Sequence, residues 1–482
     1  MAMGRAGMRA GDAGTGDVGR GGMRTGLTGV GVTGFGVTGR GVTGLGVVVG
    51  LIIHLTALTA PTPAGAAELP GAGAAAGRQG DAPTPTSTAE VRVEGTQVLV
   101  NGEVFEVRGA AGEGRLELLA ALGATTIRTY GGDPGPTLAA AERAGLKVIA
   151  GLWLSHPRLG ADYADPAFVE RQLAAFRATV EKYRDHPALL MWGIGNEVEV
   201  DLADDSMVWP EIERVAAEVR RLDPAHPTLA VLAELGEGKV ARLKAAAPSI
   251  AVLGVNSYGD ALPSLPARAR QAGWTGPLLV TEMGALGQWQ AATTPWGAPF
   301  EPSSTQKAIQ LRRYLAALKA GGAGPFPFLW GQKQEVTPSW HSLFLSTGEW
   351  TEALESMAES WGGRLPGGNH APRIASLVVV GDESAPFGQW RLGATGRVRM
   401  EAVDPDGDKL EARWTIREES RARSVGGDPE ALPPAHPEGL EAADLGGAAI
   451  SGLPAGHYRL FVELRDGRGA AATANLPFAI HD

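Results

Sequence analysis

The chain has 482 residues, 44% of them hydrophobic and 20% charged. That is enough apolar material for a large core plus a smaller module, and it excludes wholesale disorder. The net charge of −10 argues against nucleic acid or an anionic membrane as partner, and the absence of cysteine excludes disulfides, thiolate nucleophiles and cysteine-ligated zinc.

Residues 1–66 read as a leader. Positions 1–45 are Gly-rich and repeat Gly-Val-Thr-Gly at 31–34, 36–39 and 41–44, with no periodicity that could bury a face. Translation starting later, at Met23, is an alternative reading. An apolar run follows over 42–58, with Arg40 before it and Ala64-Gly65-Ala66 after it, the layout of a signal peptide. A membrane anchor is the competing reading, but His54, Thr56 and the glycines shorten the run below the ~20 residues that a span needs. The expectation is a secreted, periplasmic or cell-surface protein with no stable membrane span after cleavage. Residues 67–90, rich in Pro, Ala, Gly, Thr and Ser, read as a flexible linker.

The texture changes from residue 91. Val91–Val93 and Val98–Val100 alternate around Gly95-Thr96 and predict a short hairpin plugging a barrel floor. Eight apolar runs then recur at 106–110, 126–130, 147–154, 189–194, 228–233, 252–256, 278–281 and 325–329. Helical stretches separate them at 114–122, 136–144, 166–183, 209–222, 238–246, 265–272 and 304–320, and a last helix is expected at 349–361. Continuous apolar strands alternating with helices imply a parallel sheet covered by helices. Eight units without a dinucleotide glycine fingerprint favour an α/β (β/α)8 TIM barrel over 91–365.

In such a barrel the working residues stand at the C-terminal ends of the strands. Those ends read Arg128-Thr129-Tyr130, Trp153-Leu154-Ser155-His156, Gly195-Asn196-Glu197, Ala233-Glu234, Asn256-Ser257-Tyr258, Thr281-Glu282 and Leu329-Trp330. Glu197 and Glu282 end the fourth and seventh strands, placed to straddle one glycosidic bond. Alone, an Asn-Glu after a strand is as readily a helix cap.

Asn196-Glu197 after LLMWGIG, preceded by Tyr183-Arg184-Asp185-His186-Pro187, resembles the acid/base motif of clan A glycoside hydrolases, and Leu279–Gly284 (LVTEMG) resembles that clan's nucleophile strand. The likeness is to the catalytic barrel of glycoside hydrolase family 2, over roughly 95–365. It implies Glu197 as general acid/base, Glu282 as nucleophile, and Arg128, Asn196, Tyr258 and Trp330 as supporting, substrate-binding residues. The reaction implied is retaining hydrolysis of β-glycosidic bonds. Two departures bear on substrate: the β-sandwich domains usual before the family 2 barrel have no room here, and Ile127–Gly131 (IRTYG) leans toward clan members active on β-glucans.

Flat aromatic faces suit the C–H faces of sugars. Trp153 is taken as substrate-binding on that ground; Trp209, Trp289, Trp296 and Trp340 are more readily packing residues. His156, His341 and Glu234 are further candidate contacts, and Asp201, Asp204 and Asp205 read as a solvated loop. No cofactor or metal is implied. A metal-dependent hydrolase would need histidine and carboxylate ligands at strand ends, and no His-x-His stands on the first strand.

Residues 366–372 read as a linker. From 373 to 482 short alternating strands, at 376–380, 396–402, 410–416, 457–464 and 471–479, predict a small all-β immunoglobulin-like sandwich. Asp404-Pro405-Asp406-Gly407-Asp408 is a turn sequence first and a calcium site only second. Trp414 is expected in the sandwich core. Beside a glycoside hydrolase acting on oligo- or polysaccharide, two alternatives stand: a transglycosylase on β-glucan, and a non-catalytic carbohydrate-binding surface protein. A binding protein has no need of both glutamates.

Overall fold

The computed structural model describes residues 90–422 and 427–482. The expected leader and signal segment, and nearly all of the expected linker before the barrel, lie outside the described residues. No helix among the described residues is long and apolar enough to cross a membrane.

Eight parallel strands pair in chain order: Gly109–Ala111, Thr126–Arg128, Lys147–Leu152, Leu189–Ile194, Thr228–Leu232, Val252–Tyr258, Leu278–Gly284 and Gly324–Pro327. The ring closes where the Trp330 N–H donates to the Ala111 carbonyl at 2.8 Å. This is a TIM barrel. Both faces of its strands are covered, and the fourth strand, Leu-Leu-Met-Trp-Gly-Ile, is accordingly buried at every position.

The helices stop and start where side chains can take up free backbone groups. Pro166–Tyr183 opens on Asp165, whose carboxylate accepts the Ala167 N–H at 2.9 Å, with proline at the first turn where its missing N–H costs nothing. Ser304–Ala320 opens on a capping box between Ser303 and Gln306. The expected last helix begins only at Ala353. Trp350 just before it pairs instead with the C-terminal domain, donating to the Gly469 carbonyl and accepting the Ala471 N–H.

The hairpin Val91–Glu94 and Gln97–Val100 lies under the barrel, extended by Glu103–Val104. Val91 and Val98 join Leu190, Leu229, Val252, Leu279 and Phe326 in one buried cluster, so side chains fill the barrel floor and the chemistry belongs at the opposite mouth.

The C-terminal domain has two four-stranded sheets around one core. One holds Arg373–Val379, Gly396–Val403, Gly447–Ile450 and Leu440–Asp444; the other holds Gly388–Arg391, Ala471–His481, Gly456–Arg465 and Glu411–Glu418. Trp414 is in that core, its indole N–H donating to the Asp444 carbonyl at 2.8 Å. At the Asp404 turn, the carboxylate accepts the Asp406 and Asp408 N–H groups at 2.9 and 3.0 Å.

The two domains are bonded together along a buried seam. Arg459, 1% exposed, forks onto Glu419 at 2.9 and 2.7 Å and reaches the Pro299 carbonyl at 2.8 Å. Buried Glu301 pairs with Lys307 and also accepts from Thr337, Ser339 and, across the seam, Asn475. The connection between domains is docked too: Asn369 donates to Asp466 at 2.6 Å.

Candidate active site

Four strand ends deliver the polar groups at the mouth. Arg128 closes the second strand with Tyr130 two residues on. Asn196 and Glu197 follow the fourth, Asn256 and Tyr258 end the sixth, and Glu282 stands in the seventh. Residues two apart on a strand share a face, so Arg128 with Tyr130 and Asn256 with Tyr258 are delivered in pairs. The turn carrying Glu197 is tight: Gly195 has φ +69° and Glu197 itself φ +49°. For a residue with a Cβ the left-handed conformation costs ~1–2 kcal/mol, a strain typical of sites where chemistry fixes the geometry.

Glu282 is 7% exposed and enclosed by donors. Tyr130 donates to its Oε1 at 2.8 Å, Tyr258 to its Oε2 at 2.7 Å, and Arg128 Nη1 to its Oε1 at 3.2 Å. Arg128, 2% exposed, spends its other amino group on Asn196 Oδ1 at 2.7 Å and lies over the Tyr130 ring. A charge-assisted donor set of this kind suits an ionised carboxylate. Burial, then the Glu282 charge, holds both phenols well above their ordinary range, so each remains a donor.

Glu197 has a different environment. It accepts one hydrogen bond, from Asn256 Nδ2 at 2.8 Å. Burial, and next the negative charge of Glu282, push its pKa up to about 8. It therefore carries a proton at neutral pH. Asn256 also donates to Asn196 Oδ1 at 3.1 Å and accepts from Thr281 at 2.8 Å. The two carboxylates thus belong to one hydrogen-bonded cluster, running Glu282–Arg128–Asn196–Asn256–Glu197. Both bonds to the Asn196 side chain go to its oxygen, which leaves its NH2 group for a ligand.

The structure brings Glu197, Glu282, Arg128, Asn196 and Tyr258 together. It does not bring Trp330 to the mouth. Trp330 is 1% exposed, its indole N–H donates to the Gly114 carbonyl at 2.8 Å, and Phe344 packs edge-on against it. The cause is the early end of the eighth strand at Pro327, after which the chain turns to close the ring through the Trp330 backbone. Phe328 takes the place beside the site, its ring contacting those of Tyr130 and Tyr258.

Trp153 stands after the third strand, 38% exposed, stacked on His156 with ring centres 5.1 Å apart. Trp289 is 60% exposed and edge-on to Tyr258 at 5.3 Å. Trp209 and Trp340 are buried, and Trp296 stacks on His457 of the C-terminal domain. His341 is buried beside Gln288, and burial pushes its pKa down to about 3, so it is neutral. Glu234 is occupied by Ser257 and Arg268.

Tyr130, Asn256 and Phe328 were not singled out from sequence. For the first two the signal was the strand's two-residue period, counted from Arg128 and from Tyr258.

No family model and no curated protein matches the sequence. Solved structures similar to this chain include a β-D-glucuronidase from Dictyoglomus thermophilum, 22% identical over 58% of this chain and 54% of that one, with a TM-score of 0.45. They also include a glycoside hydrolase family 2 β-galacturonidase from Eisenbergiella tayi bound to galacturonate, 19% identical over 57% and 54%, TM-score 0.45. A third is Bacteroides uniformis β-glucuronidase 2 covalently bound to a cyclophellitol-6-carboxylate aziridine, 13% identical over 81% and 48%, TM-score 0.46. The match spans about half the length of each of these chains.

Proposed function

We propose that the chain is a glycoside hydrolase of the clan A type, similar to family 2, which cleaves β-glycosidic bonds with retention of configuration. The observation that carries this reading is the opposed setting of two carboxylates in one cluster. Glu282 sits among three donors; Glu197 is desolvated and protonated at neutral pH.

In the first step a Glu282 oxygen bonds to the anomeric carbon. The bond from that carbon to the leaving oxygen breaks, and the Glu197 proton goes to the departing oxygen. In the second step Glu197, now ionised, takes a proton from water as the water oxygen bonds to the anomeric carbon and Glu282 is released. The free NH2 of Asn196 holds the 2-hydroxyl, a contact that strengthens in the transition state. The Tyr130, Tyr258 and Arg128 donors fix Glu282 in line and share its charge.

The finer reading of substrate is β-glucan or a related neutral polysaccharide, supported by the Ile127–Gly131 wording. Location outside the cytoplasm rests on the leader's layout, and amino-terminal sequencing of the mature protein tests it. The activity test is a panel of aryl β-glycosides and β-glucans, with the anomer first released followed by proton NMR. Hydrolysis with the β anomer formed first is expected. First release of the α anomer would replace retention by inversion, and turnover retained in Glu282→Gln would sink the assignment of roles.

A further inference from the structure

On the third-strand side of Glu197 lies a group of side chains that the mechanism above does not use. Trp153 offers a partly exposed ring stacked on His156, the planes only 24° apart. His156 is 1% exposed and lies against the Asn196 backbone, and among the described residues neither ring nitrogen has a well-formed hydrogen bond. Two residues on, Arg158 feels the charges of Glu197 and Asp201, and among the described residues its buried Nε has no partner.

Arg158 does not hang free. Asp428, from the C-terminal domain, grips its two terminal nitrogens at 2.7 and 3.0 Å. The same stretch of the C-terminal domain is fastened to the loop after the eighth strand: the Gly427 carbonyl accepts from Lys333, and Glu430 accepts the Val336 N–H at 2.6 Å. The fork therefore has a fixed direction. Its charge is also balanced by Asp428, which suits a neutral hydroxyl rather than an anion. A partly exposed aromatic face, backed by His156 and set beside an oriented, charge-balanced arginine, has the composition of a sugar site.

We propose that Trp153, His156 and Arg158, the last held by Asp428 across the domain seam, form the subsite for a neutral sugar as leaving group. The bond this protein cleaves then joins two sugars, and the C-terminal domain is part of the active site. This rests on the reading of Glu197 as the proton donor.

The test compares the full-length protein with Asp428→Asn, Asp428→Glu and Trp153→Ala, recording melting curves for each. Substrates are cellobiose and laminaribiose against methyl β-glucoside, or the matching pair for the sugar the panel identifies. The methyl glycoside needs the same proton from Glu197 but offers no sugar on the leaving side. In Asp428→Asn and Trp153→Ala, kcat/KM for the disaccharide is expected to fall at least about tenfold further than for the methyl glycoside. Asp428→Glu should recover part of that difference. Equal losses on both substrates, no loss on either, or a wild type that cleaves aryl glycosides but no disaccharide would overturn the subsite. A wild type inert toward every glycoside would instead overturn the hydrolase reading itself.

Discussion

Replacing Glu197 by Gln should make the protein more stable, and only above a definite pH. The unfolded carboxyl ionises near its ordinary value of 4.5, whereas in the folded protein the value stands at about 8. A group raised on folding contributes its full stabilisation below the unfolded value. It loses that contribution as pH climbs from 4.5 toward 8. Each pH unit in that window is worth about 1.4 kcal/mol, so pH 7 finds the wild type about 3 kcal/mol worse off than pH 4. Solvent access to this half-buried side chain reduces the figure to about 2 kcal/mol. Glutamine keeps the shape, stays neutral and still accepts the Asn256 N–H, so the variant escapes this loss. Differential scanning fluorimetry from pH 4 to pH 8.5 is the assay. The two melting temperatures should coincide at pH 4 and separate as pH rises, with the variant about 2–3 °C higher at pH 7. Parallel curves would refute the claim that Glu197 folds as a proton carrier; a variant losing ground with pH would reverse its sign.

Glu282→Gln should lower kcat by about three orders of magnitude or more on any aryl β-glycoside while leaving substrate binding measurable by calorimetry. Arg128→Lys keeps one positive charge but cannot fork between Glu282 and Asn196; kcat should drop about a hundredfold with KM much less affected, as steady-state kinetics will show. In the pH dependence of kcat/KM, the limb on the basic side should fall near pH 8, where Glu197 loses its proton, and that limb should vanish for a glycosyl fluoride, whose leaving group needs none. Trp330→Ala should act through stability, costing about 3–5 kcal/mol as a core cavity, whereas Trp289→Ala, at an exposed ring, should leave the melting temperature nearly unchanged.

The barrel was legible because its strands are buried on both faces, leaving runs such as Leu189–Ile194 unbroken by polar residues. Turns and helices between them supply the rhythm. The carboxylate pair was legible because strand ends in a barrel point to one mouth. The eighth strand misled because Phe328, Leu329 and Trp330 continue its apolar run although the ladder stops at Pro327; nothing local says which of three aromatic or aliphatic residues closes the ring. In the C-terminal domain, three of eight strands escaped notice. Gly388–Arg391 and Gly447–Ile450 are four residues each, and Leu440–Asp444 is exposed along nearly its whole length, so no buried face imposes alternation on it. The environment of each site residue was not legible at all. That Glu197 receives one donor and Glu282 three depends on side chains between 24 and 154 positions away along the chain.

The clasp between Arg158 and Asp428 joins residues 270 positions apart. Such a contact is among the last a chain can make, because so much loop entropy must be given up before it forms. During synthesis the barrel strands emerge first, and the C-terminal sheets follow once all eight are complete. The subsite proposed for a leaving sugar would then be the last part of the mouth completed, by the final hundred residues in the order of translation.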